Sequence, residues 1–119
     1  MDELIQSALQ IDRTIDITTT GRTSGQPYRI EMWFHNVDGT IYITGTPGTR
    51  HWYANLLAEP SFVFHLKETT KADLKARAIA VTEAAERRSI LAVITKRVDA
   101  TDPLDEWVDS SPLVRVDFV

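Results

Sequence analysis

Apolar and polar residues alternate along parts of this chain and recur at helical spacing along others, and the two periods divide it into predicted elements. Leu4, Ile5, Ala8 and Leu9 predict a short helix from Asp2 to about Gln10. Ile15-Asp16-Ile17-Thr18-Thr19-Thr20 alternates and is rich in β-branched side chains, which predicts a strand. Residues 28–36 predict a second strand and residues 41–44 a third. Between them Asp38-Gly39 predicts a tight hairpin, because both residue types accept positive φ. Phe62, Phe64 and Leu66 alternate with Val63, His65 and Lys67 as a half-buried strand does. A further strand covers residues 74–81, with Ala76, Ala78 and Ala80 on one face, and residues 113–119 predict the last.

Helices interrupt this series twice. Thr49 is placed to cap a helix running to about Ala58, where Trp52 meets Leu56 and Tyr53 meets Leu57 one turn on. Pro60 ends that helix. Thr82 is placed to cap a longer one, from Glu83 to about Val98, with an apolar stripe of Ile90, Leu91, Ile94 and Val98. Asp102-Pro103 then opens a turn or short helix around Trp107. Helices do not follow each strand, so βαβ units are excluded. Six strands joined mostly by short turns predict a mainly β fold: a six-stranded antiparallel barrel with flanking helices packed outside. The 119 residues show no internal repeat and no long linker, which predicts one domain over residues 1–119.

Composition narrows the function classes. The chain has no cysteine, which removes disulfides, thiolate metal ligands and a cysteine nucleophile. No stretch approaches the roughly 18–20 apolar residues of a membrane helix, and residues 1–4 lack a secretory pattern, so the expected setting is cytoplasmic. A net charge of −4 argues against general nucleic-acid binding. The charge is uneven: Arg22, Arg29 and Arg50 lie close to glycines, whereas Asp99, Asp102, Asp105, Glu106 and Asp109 make the C-terminal region acidic. A locally basic, glycine-rich segment in an acidic chain points to a small anionic ligand rather than a polyanion.

Two bends carry the candidate chemistry. Residues 21–29 hold two glycines, Arg22, Thr23, Ser24 and Arg29 between two strands. Such a bend is either an ordinary turn with solvated arginines or a nest of backbone N–H groups for an anion. Gly45-Thr46-Pro47-Gly48-Thr49-Arg50 runs from a strand into a helix, whose N-terminus attracts phosphate or carboxylate. It lacks the Gly-Lys-Ser/Thr ending of a P-loop, and on its own it reads first as a plain strand-to-helix connection and second as an anion site. Among the aromatic residues, Trp33 and Phe34 point to opposite faces of their strand, one toward the core and one free to line a pocket. His35, His51 and His65 are scattered, with no metal-ligand spacing, and Ser24 has no His or Asp partner pattern for a nucleophile. A chain with little catalytic equipment of its own and two anion-suited bends fits an enzyme whose cofactor holds the reactive atoms.

Three blocks then resemble a known family. Thr18-Thr19-Thr20-Gly21-Arg22-Thr23-Ser24-Gly25-Gln26-Pro27 resembles the TTGRxSGxP opening of the deazaflavin-dependent nitroreductases. Asp38-Gly39 falls where that family has its hairpin, and Trp52-Tyr53-Ala54-Asn55-Leu56-Leu57-Ala58-Glu59-Pro60 resembles its WYxNLxAxP segment. The resemblance implies a split β-barrel of the FMN-binding, pyridoxamine-phosphate-oxidase kind, assembled as a homodimer. It implies coenzyme F-420, a deazaflavin with a phosphate and an oligoglutamate tail, and hydride transfer to a small-molecule acceptor such as a quinone or nitro compound. The same barrel with FMN, or as a non-catalytic ligand carrier, is the alternative. By this resemblance Arg22, Thr23, Ser24 and Gly25 meet the phosphate or tail, and Met32 and Trp33 face the ring. Gly45, Thr46, Pro47 and Gly48 wrap the ring edge and phosphate, and Arg50 and Trp52 close the pocket from the helix. No catalytic residue is assigned; Tyr53 and His51 are candidate proton donors. The chain departs from the family at Thr23 and Tyr28, where basic residues are usual, and in lacking a tyrosine-rich segment after Ile94. Arg29 follows Tyr28 by one residue, a step that reverses the face of a strand.

Overall fold

The computed structural model describes residues 1–119. In chain order the elements are α1 (Glu3–Ile11), β1 (Thr14–Thr20), β2 (Pro27–Trp33), β3 (His35–Val37), β4 (Thr40–Thr44), α2 (His51–Ala58), β5 (Ser61–Leu66), β6 (Ala72–Ala80), α3 (Ala84–Arg97), α4 (Leu104–Ser110) and β7 (Leu113–Phe118). The strands make one sheet in the order β2-β1-β5-β6-β7-β4-β3, every pair antiparallel. The sheet curls until β2 approaches β4, giving the half-open barrel expected.

Seven strands form where six were predicted, because the second breaks at Phe34. The Phe34 N–H leaves the ladder and donates to the Arg13 carbonyl at 3.0 Å. Its ring turns into the core, edge-on to Phe64 with centroids 5.3 Å apart. That swerve carries the chain from one edge of the sheet to the other: β2 pairs with β1, and β3 with β4. The Asp38-Gly39 hairpin forms as predicted, with φ of 53° and 88°.

Inside the curl, Ile15, Ile17, Ile43, Phe64 and Leu66 form the main core with Trp52 and Leu56 of α2. Removing such side chains from water is the dominant stabilising term of a chain this size. A second core lies where α3 and α4 cover β4 and β7, built on Leu91, Ile94, Trp107 and Leu113. The predicted stripe of α3 is buried at Ile90, Leu91 and Ile94. Two predicted caps move by one residue. Glu83, not Thr82, caps α3, its carboxylate accepting from the Glu86 N–H. Arg50, not Thr49, precedes α2, and no side chain caps that helix. No helix is long and apolar enough to cross a membrane.

Candidate functional site

The β1–β2 bend and the start of α2 meet around one groove of about 590 Å³. Arg22, Thr23 and Ser24 come from the bend, Tyr28 from the start of β2, Arg50 from the position before α2, and His51 and Asn55 from that helix, and no carboxylate lines it. Two arginines lining one groove of an otherwise acidic chain give it positive charge. The helix adds its own field, because the N-terminal N–H groups of α2 have no side-chain cap.

Arg22 is held in place by the helix. Asn55, 5% exposed, accepts through Oδ1 from the Arg22 backbone N–H at 3.1 Å and from its guanidinium at 2.8 Å. The other terminal nitrogen of Arg22 lies 3.2 Å from His51 Nδ1. Asn55 also donates to Thr19 Oγ1, so one buried amide ties α2 to the strand and the bend. Gly21 permits the bend's tight approach: a Cβ there would stand 2.5 Å from the Tyr28 ring and 2.6 Å from Ser24 Oγ.

A second cavity, about 390 Å³, opens on the other side of the 45–50 loop. Trp33, Gly45, Thr46 and Trp107 are among its walls. Trp107 is buried and its Nε1–H has no partner, an unsatisfied donor beside the cavity. Arg50 stands between the two spaces. It lines the first, while its guanidinium donates to the Thr46 carbonyl at 3.0 Å and to Thr46 Oγ1 at 2.6 Å. A Cβ at Gly45 would lie 3.4 Å from Arg50 Nε, so the glycine gives the arginine its seat.

The model of the F420H(2)-dependent quinone reductase family matches residues 5–117. The chain belongs to that family. No curated protein matches it. Among solved structures it is similar to the conserved hypothetical protein Rv2991 of Mycobacterium tuberculosis, with a TM-score of 0.77 at 21% identity over 99% of this chain and 81% of that one. A structure described as an F420 reductase gives a TM-score of 0.71 at 17% identity over 96% of this chain and 92% of that one. A putative pyridoxamine 5'-phosphate oxidase from Listeria innocua gives 0.72 at 13% identity, covering 96% and 90%. At these identities the likeness shows the fold: the split β-barrel shared by FMN-binding and deazaflavin proteins.

Of the residues that the family resemblance singles out, Arg22, Thr23, Ser24, Arg50 and Trp52 line the first groove. Trp33, Gly45 and Thr46 line the second cavity. Met32 does not join Trp33 there. Neighbours on a strand face opposite ways, and Met32 turns inward against the main core. Gly25, Pro47 and Gly48 line neither space. The N–H of Gly48 is committed to the Ser110 carbonyl at 3.0 Å, and that of Gly25 to the Gly21 carbonyl at 2.9 Å. The predicted nest is therefore narrower than the bend. Gly21, Arg22, Gly25 and Gln26 use their N–H groups within the protein, and only Thr23 and Ser24 keep theirs. Trp52 is both core and wall. Arg29 points to the opposite side of the sheet, bonded to Asp16 at 3.0 Å.

Sequence reasoning missed Asn55 and His35. The signal for Asn55 was a polar residue on the same helical face as Trp52 and Leu56, where only a hydrogen-bonded amide is tolerated. His35 had no local signal; the structure places it in the walls of two cavities.

Proposed function

We propose that this chain is a reductase that binds coenzyme F-420 and passes two electrons to a small organic acceptor of the quinone or nitro class. The observation that carries this reading is the meeting of the β1–β2 bend and the mouth of α2 at one groove with two arginines and no acid. The residues present fit such a cofactor. Arg22 and Arg50, with the free N–H groups of Thr23 and Ser24, suit a phosphate and an anionic tail. The second cavity, with Trp33, Trp107 and its unpaired indole N–H, suits a planar heterocycle or acceptor with carbonyl oxygens. When bound, the reduced deazaflavin supplies the hydride equivalent; the protein supplies position and charge.

Each residue then has a definite task. Asn55 and His51 hold the Arg22 guanidinium before any ligand arrives, which lowers the ordering cost of binding. Arg50 offers its charge to an anion in the groove while its bonds to Thr46 shape the wall of the neighbouring space. Trp52 anchors α2 in the core and so fixes the mouth of the helix. Thr23 and Tyr28 leave the groove with less charge than the family pattern, and Arg50, just before the facing helix, stands where it compensates.

Parallel fluorescence titrations with F-420 and FMN test the reading. F-420 is expected to bind more tightly, and Arg22→Ala to weaken it by about 10- to 100-fold, the value of one charge-assisted hydrogen bond. FMN binding alone replaces the deazaflavin with a flavin, and binding of neither removes the redox assignment. Oxidation of reduced F-420 by menadione, followed by absorbance, tests the acceptor class.

A further inference from the structure

A third, polar cavity of about 300 Å³ backs onto the second one. Asp12, Arg13, Asn36 and Arg97 line it, and the exposed Gln10 and Arg13 place it at the surface. Asp12 is 9% exposed, and its Oδ1 has no partner in the protein. A polar space of this size, with the Asp12 carboxylate among its walls, is the setting that draws water into a protein, each molecule needing about 30 Å³. Two residues belong to the walls of both this cavity and the second: His35 and Val98. Valine carries no proton, so His35 is the one chemical connection between the two spaces.

We propose that His35 delivers the proton that accompanies reduction of the acceptor, drawing it from solvent through the polar cavity beside Asp12. The proposal rests on the reductase reading above and adds the group that completes it. Reducing a quinone to a quinol takes a hydride equivalent, supplied by the reduced deazaflavin, and one proton. The proton leaves a His35 ring nitrogen as an N–H bond breaks, and an O–H bond forms on the quinone oxygen. Water in the polar cavity protonates the other ring nitrogen as the first gives up its hydrogen, so the ring stays neutral throughout. A proton returns to solvent from the cofactor once its hydride is given, and the overall exchange of two hydrogens from cofactor to quinone is balanced.

The environment of His35 suits this task. It is 8% exposed, on the short strand β3, and fixed by pairing with Tyr42. Burial first, then the positive charges of Arg97 and Arg13, push its pKa down to about 4. At neutral pH the ring is therefore neutral, with one N–H and one lone pair, the form that accepts a proton on one side and releases one on the other. The alternatives lining the second cavity do less well. The Trp107 indole, the hydroxyls of Thr44, Thr46 and Thr101, and the exposed carboxylates of Asp99 and Asp102 line the second cavity but not the polar one, so none of them connects an acceptor there to water in the polar cavity. His51, a candidate from the sequence, lines the first groove and is bonded to Arg22.

The test uses the whole chain loaded with reduced F-420 and mixed with menadione in a single turnover, in water and in deuterium oxide. His35→Gln is expected to slow oxidation of the cofactor about 100-fold or more, the scale of general acid catalysis, while F-420 affinity stays at the wild-type value. Free imidazole is expected to restore the rate of folded His35→Ala. In cofactor-free protein, the His35 imidazole proton resonances are expected to shift on adding menadione. A His35→Gln rate within twofold of wild type overturns the proposal and leaves the reductase reading standing. So does a His35 resonance indifferent to menadione, or failure of imidazole to rescue a folded His35→Ala. If the wild-type protein neither binds F-420 nor oxidises it, the reductase reading itself fails and takes the role of His35 with it.

Discussion

Asn55 shows how much one residue decides. Its side chain accepts two hydrogen bonds from Arg22 and donates one to Thr19, all at a position closed to water. Asn55→Ala leaves the Arg22 backbone N–H without its partner and frees the guanidinium to wander. The expected result is a loss of about 1–3 kcal/mol in stability, with weaker F-420 binding even though no ligand contact has been deleted. Denaturant melts and titration of the same variant check both. His35 makes a separate prediction about acid. Its folded pKa of about 4 lies below the ordinary 6.5, so the unfolded chain binds more protons between those values. The stabilisation is fully present above pH 6.5 and is lost as pH falls toward 4, by up to about 3 kcal/mol. His35→Gln is expected to flatten that part of the stability curve in melts from pH 7 to pH 4. Asp16, held below the usual carboxylate range chiefly by the Lys67 hydrogen bond, acts in the same direction at lower pH.

At the scale of the element, period and parity settle most of the outcome. Alternation in residues 62–67 put Phe62, Phe64 and Leu66 on the core side, and the structure buries all three. The Asp38-Gly39 hairpin was legible because positive φ demands particular residue types. Parity also explains why Met32 and Trp33 separate, and why Arg29 joins Asp16 on the far side of the sheet from Tyr28. The break at Phe34 was not legible, since nothing in residues 28–36 interrupts a strand pattern; it exists because Phe34 finds Phe64 and the Arg13 carbonyl. The 45–50 loop is the element most exposed to a small change. Gly48 has a φ of 130°, and a Cβ there would meet the Arg50 guanidinium at 3.1 Å. Gly48→Ala is expected to cost about 1–3 kcal/mol in a thermal melt and to weaken F-420 binding by displacing Arg50. An unchanged melting temperature would mean that the loop tolerates another path.

For the whole molecule, Arg87 has the widest reach. It is 8% exposed, and its guanidinium donates to the carbonyls of Val81, Trp107, Val108 and Ser111. It thereby joins the end of β6, the helix α4 and the start of β7, the frame that holds the second cavity. Arg87→Met fills much of the volume but removes the guanidinium from all four carbonyls, of which Trp107 alone keeps a second donor, the Ser111 N–H, and is expected to cost about 3–5 kcal/mol in denaturant unfolding. The homodimer implied by the family resemblance is a prediction at this scale too. The edge strand β2 exposes Tyr28 and Ile30 on one face and Trp33 on the other, and light scattering at the mass of a pair checks the prediction. What the sequence by itself determined was local: which stretches are strands or helices, which side of each is apolar, and which bends are rich in glycine and arginine. These follow from steric and solvation preferences of neighbouring residues. What only the tertiary structure decided was coincidence in space: the facing of Arg22 and Arg50, the capture of Arg22 by Asn55, the split at Phe34, and the wall that His35 shares between two cavities. Those depend on how a curled sheet brings distant residues together, and no local pattern encodes that distance.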